Sequence, residues 1–93
     1  MKREKGHIPN RLKKYRILKG YSQKEAADSL GLKSIAPIDN WEKGLSFPNL
    51  ENLLKLSILY EVPEETLYHA VTQEIKKRLG AKKVNSNSQE TIL

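Results

Sequence analysis

The sequence predicts an all-α domain of five helices, and three observations carry that prediction. Apolar residues recur at intervals of three and four, and no alternating strand pattern competes with them. Gly20, Gly31, Gly44 and Gly80 stand at the ends of the periodic stretches, where a helix closes in a left-handed residue. Ser22, Pro37, Asn49 and Pro63 stand at their starts, where a side-chain acceptor or a missing N–H suits the first turn.

The first helix is expected from about Asn10 to Lys19, with Leu12, Tyr15 and Arg16 on one face. Arg11, Lys13 and Lys14 then point mostly outward, and Gly20 closes it. Ser22-Gln23-Lys24-Glu25 has the form of a capping box, in which serine and glutamate oxygens each accept from an orphan N–H. Ala26, Ala27 and Leu30 make the buried face of the second helix, and the paired alanines permit close approach of another helix. A third helix is expected from Ala36 or Pro37 to Lys43, with Ile38 and Trp41 as its apolar face. Asn49 caps a fourth helix running through Tyr60, with Leu50, Leu53, Leu54, Ser57 and Tyr60 in helical period. Pro63, Glu64 and Glu65 open an extended fifth helix, since acids suit the positive end of the dipole. Leu67, Val71, Ile75 and Leu79 fall on one stripe of it.

Composition narrows the function classes. Ninety-three residues are read as one domain with a modest core and little room for a substrate pocket. Without cysteine, nothing depends on disulfides or thiolate metal sites. No apolar run follows the basic start, so no signal peptide or membrane span is expected, and the expected location is cytoplasmic. The net charge of +6 is unevenly spread: residues 1–20 carry eight basic residues and one acid, whereas residues 21–62 carry four bases and six acids. This excess either attracts phosphates or forms a solvated tail. The expected division is a basic arm over 1–9, a helical domain over 10–79, and a flexible polar tail over 80–93.

Two short helices joined by Gly31 to about Ile35 can hold the second one proud of the surface, in a shape that fits the DNA major groove. Helical hairpins of this spacing also occur in domains that never meet DNA. More specific is the run Arg16-Ile17-Leu18-Lys19-Gly20-Tyr21-Ser22-Gln23-Lys24-Glu25-Ala26-Ala27, followed by Leu30-Gly31-Leu32. Ile38-Asp39-Asn40-Trp41-Glu42-Lys43-Gly44, then Pro48-Asn49-Leu50-Glu51 and Val62, continue it. In this combination the chain resembles the helix-turn-helix domains of the Cro/cI phage-repressor type, also called the XRE family, over about residues 10–68.

The resemblance implies a five-helix, phage-repressor-like fold with the third helix as the reader of double-stranded DNA. It implies that Arg16 and Glu42 form a structural salt bridge tying helix one to the end of helix three. It places Gln23 close to the DNA backbone, where an amide donates to a phosphate or braces a reading side chain. Asn40 is the base-edge candidate, because an amide pairs bidentately with adenine, and Lys43 is placed for a phosphate. Lys33, Ser34, Ile35 and Ala36 lie at the reader's leading end, with the last two placed to touch a thymine methyl. Asp39 accepts from cytosine but repels phosphates, and Asn49 approaches the backbone from the loop before helix four. The interval from Gly31 to Glu42 is one residue longer than the common pattern, which leaves the reader's start open between Ala36 and Pro37. The loop Leu45-Ser46-Phe47 lacks the basic residues often found there, a lack that the arm residues Lys2, Arg3 and Lys5 are placed to offset.

No catalytic constellation is present in the sequence. His7 and His69 lack a metal-ligand pattern, the serines lack a nucleophile elbow, and the glycines are isolated. The expectation is therefore a sequence-specific transcriptional regulator, a repressor in the simplest case, with no cofactor. A homodimer on a two-fold site is expected, with the Val71-Ile75-Leu79 stripe either forming the dimer contact or packing back on helix one. The alternative is a protein-binding adaptor or antitoxin on the same fold.

Overall fold

The computed structural model describes residues 7–80, and every regular element among them is a helix. In chain order these are α1 (Leu12–Leu18), α2 (Gln23–Leu30), α3 (Ala36–Glu42), α4 (Leu50–Tyr60), α5 (Glu64–Leu67) and α6 (His69–Gly80). No helix among the described residues is long and apolar enough to cross a membrane. The basic arm through Gly6 and the residues after Gly80 lie outside the described region.

Local chemistry sets the helix starts. The Ser22 hydroxyl accepts from the Glu25 amide at 3.0 Å, and the Glu25 carboxylate accepts from the Ser22 amide at 2.8 Å, so the capping box is complete. Asn49 caps α4 by accepting from the Asn52 amide at 2.8 Å. α3 begins at Ala36, the earlier of the two starts the sequence allowed, with Pro37 in its first turn where a missing N–H costs nothing.

The core gathers one face from each of the first five helices: Leu12, Ala26, Ala27, Leu30, Ile38, Trp41, Leu56, Tyr60, Leu67 and Tyr68. Ala26 and Ala27 are fully buried, and their small side chains let α2 pack closely on α3 and α4. Trp41 turns inward beside Ile38 and closes the core beneath α3.

Two elements differ from the sequence expectation in detail. The extended fifth helix is divided at Tyr68, whose φ of −119° and ψ of 47° are not helical. The Leu67 carbonyl accepts from the Arg11 amide at 2.8 Å, and the Tyr68 ring is buried against Phe47, with centroids 5.3 Å apart. Tertiary partners therefore hold the chain out of helical register at that point. On α4, the inward stripe is Leu53, Leu56 and Tyr60; Leu50 and Leu54, which the periodicity placed with them, are 70% and 40% exposed. Beyond Tyr68, Val71 packs against the core, whereas Ile75 and Leu79 project from it.

Candidate nucleic-acid interface

The turn between α2 and α3 orients the latter. Gly31 sits at φ +80°, and the two amides that follow the helix bend back: Gly31 N–H donates to the Asp28 carbonyl at 3.0 Å and Leu32 N–H to the Ala27 carbonyl at 2.9 Å. This double closure satisfies the last carbonyls of α2 and fixes the exit direction of the chain. Ser34 then accepts from the Ala36 amide at 3.3 Å just ahead of α3, whose N-cap residue is Ile35.

With Ile38 and Trp41 buried, the opposite side of α3 faces solvent. Ala36, Asn40 and Lys43 are exposed and Asp39 is half-buried, at spacings that put all four on one face. Lys33, Ser34 and Ile35 are exposed at its leading end, Ile35 at 43%. Seven of the candidate residues thus form one continuous surface, the leading end and outer face of α3. Asn49 is exposed as well; its Oδ1 accepts the α4 cap bond, and its NH2 group is open to another partner. Lys2, Arg3 and Lys5 lie outside the described residues.

A set of polar contacts holds this surface. Arg16 grips both carboxylate oxygens of Glu42, with Nη2 to Oε1 at 3.1 Å, and both side chains are more than nine-tenths buried. The Glu42 hydrogen bond holds the guanidinium in its charged form more firmly than usual. Gln23 donates from Nε2 to Asp39 Oδ1 and to Glu42 Oε1, each at 3.2 Å. Two carboxylates require the amide nitrogen, not its oxygen, to face them. With both its N–H groups engaged, Gln23 braces α2 against α3. Lys43 pairs with Asp39 at 2.9 Å. This ion pair first, then the Gln23 bond, hold the Asp39 carboxyl below the usual carboxylate range.

Two residues contribute here that the sequence reading did not single out. Lys13 lines the open cleft formed with Ser22, Gln23, Asp39, Glu42 and Lys43, so it faces α3 and does not simply point outward. Its position one turn before Arg16 was the available signal. Asn10 accepts from the Leu12 amide at 3.0 Å and donates to the Trp41 and Glu42 carbonyls at 3.1 and 3.3 Å, joining the start of α1 to the end of α3. Nothing local in the sequence announces those two tertiary bonds.

The family model for helix-turn-helix domains matches residues 12–67, which spans α1 through α5. The chain belongs to the helix-turn-helix family, of the Cro/cI type. Within that family it is similar to the HTH-type transcriptional regulator ImmR of Bacillus subtilis (strain 168), at 37% identity over 85 residues. That similarity covers 91% of this chain and 65% of the relative, so the chain spans about two-thirds of that protein's length. In helix-turn-helix terms α2 and α3 are the paired helices, and α6 lies beyond the matched span.

Proposed function

We propose that this chain is a sequence-specific DNA-binding regulator of transcription that inserts α3 into the major groove and acts by occupancy, as a repressor in the simplest case. The observation that carries this reading is the outer face of α3. Its polar and small side chains, Ala36, Asp39, Asn40 and Lys43, stand on a helix braced along its middle and last turn by Gln23, Arg16 and Asn10. A rigid helix offering a short row of donors and acceptors suits base edges, because the groove's code is read by fixed geometry. The resemblance to a relative named as a transcriptional regulator supports the same reading.

In this reading Asn40 meets a base edge, Lys33 and Ser34 meet the backbone at the leading end, and Ile35 and Ala36 meet a thymine methyl. Lys13 adds positive charge beside Asp39 and Lys43, and the arm residues Lys2, Arg3 and Lys5 follow the DNA backbone. Ile75 and Leu79, 42% and 68% exposed on the free half of α6, favour a homodimer contact there over packing on α1.

Selection of the purified chain on randomised duplex DNA, repeated with Asn40→Ala, tests the proposal. Enrichment of a short motif that relaxes in the variant is the expected result, and two-fold symmetry in it supports the dimer. No enrichment, with residual binding abolished by modest salt, transfers the fold to a protein-binding role. A monomer in sedimentation at high concentration removes the α6 contact.

A further inference from the structure

We propose that Asp39 and Lys43 form one reading unit for a single C·G base pair, the carboxylate accepting from the cytosine amino group and the ammonium donating to the guanine. This inference rests on α3 being the major-groove element and names the base pair that one part of it selects.

Geometry supports the unit. Asp39 Oδ2 and Lys43 Nζ are 2.9 Å apart on successive turns of the outer face, so an acceptor and a donor stand side by side. Asp39 Oδ1 accepts from Gln23 Nε2 at 3.2 Å, which fixes the carboxylate from the α2 side. Each carboxylate oxygen offers about two acceptor sites, so each retains one, and the ammonium retains two of its three N–H groups. Both side chains remain open to solvent, at 36% and 61%. An exposed pair of this spacing adds little to stability, so stability alone does not account for fixing it from two helices.

The chemistry of the groove then selects the base pair. Asp39 is held in its charged form by Lys43, Gln23 and Lys13, so it accepts and never donates near neutral pH. Guanine N7 and O6, adenine N7 and thymine O4 are all acceptors and repel it; only the amino groups of cytosine and adenine attract it. In A·T the adenine amino group lies between two acceptors, N7 and the thymine O4. In C·G the cytosine amino group has an acceptor on one side only, the guanine O6, with guanine N7 beyond it. A carboxylate with a single ammonium beside it matches the second arrangement and leaves an uncovered acceptor in the first.

The test is selection on randomised duplex DNA with the full chain, Asp39→Asn and Lys43→Gln, each checked by thermal melting for intact folding. The wild-type motif is expected to contain a C·G column. Asp39→Asn is expected to lose that preference by about 5- to 150-fold, the usual cost of one mismatched pair, and to turn towards adenine, which an amide pairs with bidentately. Lys43→Gln is expected to relax the same column. A motif retained in every column by folded Asp39→Asn overturns the unit while leaving α3 as reader. Uniform weakening of all sequences by Lys43→Gln, with the C·G column intact, makes Lys43 a phosphate contact and also overturns it. A wild-type chain that enriches nothing removes the reading of α3 itself, and this proposal with it.

Discussion

Arg16 and Glu42 join α1 to the last turn of α3 through a two-pronged ion pair, and the third guanidinium nitrogen, Nη1, donates to the Tyr21 carbonyl at 2.9 Å. One side chain therefore ties three segments: α1, the entry to α2, and the end of the outward-facing helix. With the carboxylate only 5% exposed, its charge depends on Arg16 and on the single bond from Gln23.

Replacing Arg16 with Met is expected to cost about 3 kcal/mol in urea unfolding, because it leaves Glu42 buried with one neutral donor. Arg16→Met combined with Glu42→Leu is expected to recover much of that loss, since no unpaired charge remains. A single-variant loss below about 1 kcal/mol, the range of a solvated pair, would show that water reaches Glu42 and that the tie is weaker than its burial implies.

Legibility in the sequence followed the range of the interactions. Ser22 with Glu25, and Asn49 with the α4 start, were readable because cap and partner lie within one turn. The inward turn of Ile38 and Trp41 was readable because α3 carries few other apolar residues. α4 was not, since Leu50, Leu53, Leu54, Leu56, Ile58 and Leu59 nearly encircle it and periodicity alone cannot choose a face. Its packing on α2 and α5 makes the choice, in favour of Leu53, Leu56 and Tyr60. The break at Tyr68 was hidden for the same reason: its causes, Arg11 and Phe47, are distant in sequence. At the candidate interface the residue types were legible, but the contacts joining Gln23 to Asp39 and Glu42 needed the fold.

Gly44 is expected to be far less tolerant of alanine than Gly31. Both have positive φ, +76° and +80°, so both substitutions carry left-handed strain of about 1–2 kcal/mol. Around Gly31 nothing approaches within 4 Å of the added carbon, whereas at Gly44 that carbon overlaps the Ile8 backbone. The Ile8 amide also donates to the Gly44 carbonyl at 2.8 Å, so relieving the overlap means lifting residues 8–10 from the end of α3. Gly44→Ala should lower stability by at least about 1 kcal/mol more than Gly31→Ala, the value of the lost hydrogen bond. Equal losses in parallel urea titrations would show that the Ile8 segment yields freely.

Alkaline pH is expected to destabilise the fold through Tyr60 and Tyr68. Among the described residues their buried hydroxyls have no partner, and burial raises both acidities' midpoints above the ordinary 10.0, that of Tyr68 to about 12. A raised folded value means the native state holds its proton after the unfolded chain has lost it. The contribution is thus fully present below pH 10 and is lost as pH rises through about 12. Tyr60→Phe and Tyr68→Phe remove both the titration and an unsatisfied hydroxyl, so each should raise stability at neutral pH by up to about 1 kcal/mol and flatten the alkaline decline. Urea midpoints followed from neutral pH into that range measure both effects. A loss above about 1 kcal/mol at neutral pH in either variant would mean that its hydroxyl has a bound partner in the folded protein, such as an internal water.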